Sequence, residues 1–88
     1  MKRTPADVTL LVRSTCGSCA RVEQQIQPVI QDAGAQLTVV QLDGPQAAGN
    51  AEILELEQEF GDRVPVVLVN GEEFACWEVD NEELAAAL

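Results

Sequence analysis

Cys16-Gly17-Ser18-Cys19 is the stretch whose residue types and spacing point to chemistry, and Cys76 is the one further cysteine of the 88 residues. Two intervening residues bring the sulfurs within disulfide reach, one helical turn apart. The pair follows a β-branched and leucine run, Val8 to Val12, and precedes a stretch of helical periodicity beginning at Gly17. A helix N-terminus presents unpaired N–H groups and about half a positive charge, which favours a thiolate over a thiol. A cysteine there falls below the free value of about 8.5 and becomes a nucleophile at neutral pH. Cys16 is then the exposed attacking sulfur. Cys19, further into the helix, resolves the mixed disulfide. Arg13 is spaced to set a cation beside the thiolate, although a solvated charge at a strand end fits the same spacing.

Other chemistries compete for these residues. Zinc uses the same C-x-x-C spacing but normally takes four ligands, and the chain has three cysteines and no histidine. A site within one chain would need a carboxylate, and no second pair is present. Cys16 and Cys19 as inert core residues is the plainer alternative, since cysteine favours interiors. Strand alternation puts Cys76 on one face with Phe74. It is therefore either an ordinary core cysteine or a third thiol that traps oxidised Cys16 or Cys19.

The elements that must position the pair follow with short punctuation. Val8 to Val12 reads as a strand buried on both faces. From Gly17 to about Ala33, Val22, Ile26, Val29, Ile30 and Ala33 form one helical stripe, ended by Gly34, with Pro28 expected to kink it. Leu37 to Leu42 is a second strand, closed by Asp43-Gly44-Pro45. A helix from about Gln46 to Phe60 carries Ile53, Leu56 and Phe60 on one face and Glu52, Glu55, Glu57 and Glu59 on the other, ending at Gly61. Val64 to Val69 is a third strand, Asn70-Gly71 a hairpin turn, and Glu72 to Trp77 the returning strand. Asp80 and Glu83 cap a last helix through Leu84 to Leu88. The order β-α-β-α-β-β-α predicts an α/β fold with a four-stranded mixed sheet and helices on both faces. Pro65 opens a strand where proline is tolerated only at the first residue or a special turn. A cis Val64–Pro65 bond would bend the chain and leave the backbone of Val64 free to pair with an extended substrate. A trans proline at a strand start is the alternative, and base rates alone favour it, since only about one X–Pro bond in twenty is cis.

Length and composition bound the rest. Eighty-eight residues predict a single domain over 1–88, with 47% hydrophobic residues for a core and only 3% aromatic ones. The net charge is -10. It arises entirely beyond residue 51, where eleven acids face Arg63 alone, while the earlier residues balance four acids with four bases. Such a surface repels phosphate and disfavours nucleic acid and anionic membranes as partners. No apolar run approaches the ~18 residues of a membrane span. The start MKRTPADVTLLVR lacks a signal peptide's long apolar region and cleavage site, so the expected compartment is cytoplasmic. Three clustered cysteines there suit catalysis or metal binding better than a disulfide scaffold.

With these residues in place, the chain resembles the glutaredoxin-like proteins of the thioredoxin superfamily along essentially its whole length. The resemblance rests on Cys16-Gly17-Ser18-Cys19, on Arg13 where glutaredoxins usually have lysine, on Val64-Pro65 and on Asn70-Gly71. It implies a thioredoxin-like fold, a cis Pro65 opposite the cysteine pair, and Thr15, Gly17, Ser18, Val64 and Pro65 in support of Cys16 and Cys19. Pro28 is similar to the proline within the thioredoxin active-site helix. Two departures are informative. Thioredoxins carry tryptophan before the first cysteine and a buried aspartate on the preceding strand, where this chain has Thr15 and Leu10. Glutaredoxins follow the hairpin with Gly-Gly and a Ser/Thr-Asp pair that hold glutathione. Here Phe74-Ala75-Cys76-Trp77-Glu78-Val79-Asp80 stands instead, with Cys76 at the second glycine.

The expected activity is thiol–disulfide exchange by the Cys16/Cys19 dithiol, on neutral or basic protein disulfides, re-reduced by a reductase or a small thiol. No cofactor is required, and glutathione, itself an anion, is disfavoured by the missing Gly-Gly and the surrounding glutamates. A redox-sensing or partner-binding module without turnover is the alternative, with the acidic half as its docking surface. Iron–sulfur carriage through a bridged dimer is the third.

Overall fold

A computed structural model of the chain describes residues 6–14, 17–44 and 49–88. The elements run β1 (Asp7–Val12), α1 (Gly17–Ala33), β2 (Gln36–Gln41), α2 (Ala51–Phe60), a 3-10 turn (Gly61–Arg63), β3 (Val66–Val69), β4 (Glu72–Cys76) and α3 (Asn81–Ala87). The strands form one sheet in the order β2-β1-β3-β4. β1 is parallel to β2 and antiparallel to β3, and β4 returns antiparallel to β3. The sheet is mixed, as the element order predicts.

Both faces of the sheet are covered. On one, Val8 and Leu10 of β1 and Val67 of β3 pack with Val22, Ile26 and Ile30 of α1 and Leu84 of α3. On the other, Leu11, Val66 and Leu68 pack with Leu42 and Phe60, and Ile53 and Leu56 of α2 lie against them. Alternation along β1 thus sends neighbouring leucines to opposite cores, which accounts for its unbroken apolar run.

The stripe of α1 buries Cys19, Val22, Ile26 and Ile30, whereas Ala33 is exposed. The helix is continuous through Pro28. It ends as expected: Gly34 has φ +67°, and the N–H of Ala35 donates to the Ile30 carbonyl. The hairpin also follows expectation, with Asn70 and Gly71 both at positive φ.

Three boundaries differ from the sequence reading. α2 begins at Ala51, not Gln46. Gly49 (φ +78°) cannot lie in a right-handed helix, and the extended Asn50 accepts the N–H groups of Glu52 and Ile53, at 3.0 and 3.2 Å. The expected opening residues 46–48 lie outside the described residues. β3 begins at Val66, so Val64 and Pro65 form its approach. β4 stops at Cys76 because Trp77, at φ +66°, leaves the extended region. Asp80 caps α3 as predicted, accepting from Glu82 and Glu83. Among the described residues, no helix is long and apolar enough to cross a membrane.

Candidate active site

Strand register brings the neighbours of Arg13, Pro65 and Cys76 together at one end of the sheet. β1 ends at Val12 opposite Gln41, the last residue of β2, and the N–H of Leu42 still donates to the Val12 carbonyl at 2.9 Å. On the other side Leu11 pairs with Val66, which places Pro65 beside the same end of β1. Val66 in turn faces Cys76. The Val64–Pro65 bond is cis. The Pro65 carbonyl accepts the N–H of Trp77 at 2.9 Å, tying the chain beyond β4 to the chain before β3.

The residues leading from β1 into the cysteine motif are tied to two other elements. Arg13 donates through Nε to the Gly61 carbonyl at 2.9 Å, and its Nη2 lies 3.5 Å from a carboxylate oxygen of Glu57. Gly61 is glycine where a Cβ would sit 2.7 Å from that Nη2, so the guanidinium occupies the space a side chain would fill. The charge of Arg13 therefore reaches the end of α2. Ser14 is held from the other side. Its N–H donates to both carboxylate oxygens of Asp43, at 2.9 and 3.3 Å, and its hydroxyl to Oδ2 at 2.8 Å. The Ser14 N–H, then its hydroxyl, holds the Asp43 carboxyl below its ordinary range by favouring the charged form.

Thr15 and Cys16 lie outside the described residues. α1 starts at Gly17, which is exposed, followed by a half-exposed Ser18 and a buried Cys19. Cys19 is disulfide-bonded, whereas Cys76 is a free thiol. Along α1 from Cys19, a cleft of about 340 Å³ is lined by Arg21, Val22, Gln25, Trp77, Glu78 and Val79. Trp77 is 58% exposed, an unusual setting for a large aromatic ring at positive φ. The amide of Gln25 donates to the Val79 carbonyl and to Asn81, whose own amide returns a bond to the Gln25 carbonyl, so α1 and the segment before α3 form the walls of the cleft.

Cys76 does not share a face with Phe74. The register shifts between Val67, paired with Ala75, and Leu68, paired with Glu73, so Phe74 is an extra residue in β4. The bulge puts Phe74 and Ala75 against the α1 side and sends the half-buried Cys76 to the α2 side. Alternation read through a bulge is off by one. Asp43, Glu57, Gly61, Gln25 and Trp77 escaped the sequence reading as site residues. Asp43-Gly44 looked like a strand closure and Gly61 like a helix end, and no periodicity links either to β1 across the sheet.

Among the described residues no group of three or more histidine, cysteine, aspartate or glutamate side chains is arranged to hold a metal. A mixed sheet covered by helices on both faces, with a cysteine in the first turn of the helix after its central strand, defines a thioredoxin-like fold. Solved structures are similar throughout. A Nitrosomonas europaea protein, Ne2328, is 20% identical with a TM-score of 0.75, over 100% of this chain and 96% of that one. A mutant thioredoxin from Halobacterium salinarum is 20% identical with a TM-score of 0.59, over 96% and 72%. An arsenical resistance operon trans-acting repressor from Bacteroides vulgatus is 19% identical with a TM-score of 0.58, over 97% and 93%. The glutaredoxin-like domain (DUF836) matches residues 7–88, and the chain belongs to that family. Uncharacterised proteins of Mycobacterium tuberculosis and Mycobacterium bovis are 39% identical over 79 residues, covering 90% of this chain and 78% of theirs. The chain is thus a glutaredoxin-like domain with a thioredoxin-like fold.

Proposed function

We propose that the chain is a thiol–disulfide oxidoreductase working through the Cys16/Cys19 dithiol. The Cys16 thiolate attacks one sulfur of a client disulfide. A Cys16–client mixed disulfide forms, and the other client sulfur leaves as a thiolate that takes a proton from solvent. Cys19 gives up its proton and attacks the Cys16 sulfur, closing the 16–19 disulfide and releasing the second client sulfur. Two electrons pass to the client, and a dithiol reductase or two molecules of a small thiol restore the dithiol. All the electrons enter and leave through sulfur bonds, so the cycle calls for no bound cofactor.

The observation that carries this reading is the convergence of three separate segments at one end of the sheet. They are the first turn of α1 with its buried Cys19, the Val64–Pro65 approach to β3, and Trp77 bonded to the Pro65 carbonyl. The adjoining cleft, with Arg21 and Glu78 on its walls, is suited to a polypeptide bearing a disulfide. The net charge of -10 favours neutral or basic clients over anionic ones.

Cys16→Ser is expected to abolish reduction of a protein disulfide, such as insulin with dithiothreitol as donor, while far-ultraviolet circular dichroism stays unchanged. A redox titration of the wild-type chain that shows no cycling between dithiol and 16–19 disulfide would overturn the proposal.

A further inference from the structure

We infer that the outer edge of β2 is a docking surface for a second copy of this chain, whose own β2 adds antiparallel to it. The sheet has two edges, β2 and β4, and they are built differently. β4 carries Glu72 and Glu73 and is bulged at Phe74, features that blunt an edge against strand addition. β2 has neither. Its sequence QLTVVQ contains no charge, glycine or proline, and its register with β1 is unbroken. Four of its six residues are exposed, and Val39 is 42% exposed. Among the described residues no strand pairs with its outer side.

Backbone geometry fixes which groups face outward. The N–H of Gln36 donates to the Ala6 carbonyl at 3.0 Å and that of Leu42 to the Val12 carbonyl at 2.9 Å. Backbone polar groups alternate sides along a strand, so Leu37, Val39 and Gln41 turn theirs away from β1. These three are symmetric about Val39. A two-fold axis there sets Val39 opposite Val39, Thr38 opposite Val40 and Leu37 opposite Gln41, and gives every outward N–H an outward carbonyl. The Val39–Val39 and Thr38–Val40 pairs are of the β-branched kind that stabilises an antiparallel ladder. A basic client, which the net charge of -10 favours elsewhere, meets no carboxylate on this strand. Antiparallel pairing also turns the Pro65 ends of the two sheets in opposite directions, so the two copies keep those ends apart.

The test is analytical ultracentrifugation of the full chain from about 10 μM to about 1 mM, with a phosphine reductant to exclude intermolecular disulfides. Edge pairing of this length belongs with interfaces below about 1,200 Å², so a weak, concentration-dependent dimer is expected. Added salt should tighten it, because screening relieves the repulsion between two chains of charge -10. Val39→Pro removes an outward donor without touching the bonds to β1, and should weaken dimerisation about tenfold. Val39→Lys sets two cations opposite one another on the axis and should weaken it about as much. Urea unfolding checks that each variant keeps its fold, and Val39→Lys carries the test if Val39→Pro does not fold. Leu54→Gln, at the 44% exposed side chain on α2, should leave the dimer intact. A chain that stays monomeric at about 1 mM in high salt would overturn the inference. A dimer that the folded Val39 variants leave as tight as the wild type would overturn it equally.

Discussion

The two faces of the sheet are built differently. The α1/α3 face is a continuous apolar core in which α1 buries four residues along its length, and Gln25 and Asn81 lock α1 to the segment entering α3. On the other face α2 buries only Phe60, and arginines secure its end. Arg13 reaches Gly61 and Glu57, while Arg63 bonds the Glu59 carbonyl, pairs with Glu73 at 3.1 Å and lies 5.3 Å from the Phe60 ring. The first face holds the helix that carries the cysteine motif. The second face reaches Arg13, on the loop that feeds the motif, through polar contacts. Rigidity of the helix and direction of the loop thus rest on separate interactions, and each can be removed while the other stays.

The largest expected effect tests the apolar asymmetry. Leu84 is fully buried and is the one buried residue of α3, so Leu84→Ala should destabilise the fold by about 3 kcal/mol. Leu56 on α2 is half-buried, and Leu56→Ala should cost about 1 kcal/mol. Urea unfolding of the pair measures the contrast. Equal losses would mean that the α2 face is as well packed as the other.

A smaller effect tests the polar tether. The Cβ of Gly61→Ala would displace the Arg13 guanidinium, because 2.7 Å is too close for both to remain. The loss should be about 1 kcal/mol, since the contacts are partly exposed. In an Arg13→Ala background the same substitution should cost nothing, or even stabilise, because alanine replaces glycine at a helical φ of -57°. A double-mutant cycle that finds the two substitutions additive would show that position 61 needs glycine for some reason other than Arg13.

What the sequence made legible follows the same division. The α1/α3 face was readable because local periodicity fixes it: Val22, Ile26 and Ile30 recur at helical spacing, Asp80 caps α3, and Asn70-Gly71 turns the hairpin. The mixed four-stranded sheet was legible from this element order, and the thioredoxin-like fold and the cis Pro65 from the resemblance that Cys16-Gly17-Ser18-Cys19, Arg13, Val64-Pro65 and Asn70-Gly71 carry. Contacts that depend on register were not. Asp43 meets Ser14 only because parallel strands end level, and Cys76 changes face only because Phe74 is an extra residue in β4. A bulge leaves no mark on a hydrophobic pattern five residues long. The start of α2 was misplaced because Ala47 and Ala48 extend the helical pattern backwards, while Gly49 and Asn50 decide the boundary through backbone geometry and capping.

The smallest expected effect concerns acid stability of the loop that Ser14 and Asp43 close. The Asp43 carboxyl ionises more readily in the folded chain than its ordinary value of 3.8, because the charged form receives the Ser14 N–H and hydroxyl. A carboxyl lowered by folding contributes stability that is fully present above the unfolded value and is lost as pH falls through the folded one. The difference in urea midpoint between wild type and Asp43→Ala should therefore stay constant from pH 7 down to about 5. It should shrink below pH 3.8 as the unfolded chain, and then the folded chain, takes up the proton. The comparison is repeated in an Arg13→Ala background, where the Glu57 carboxylate has lost its partner. A gap that closes there as it does in the wild type assigns the acid sensitivity to Asp43. A gap that stays constant to about pH 2.5 would mean that Ser14 is bonded no more strongly to the carboxylate than to the neutral acid.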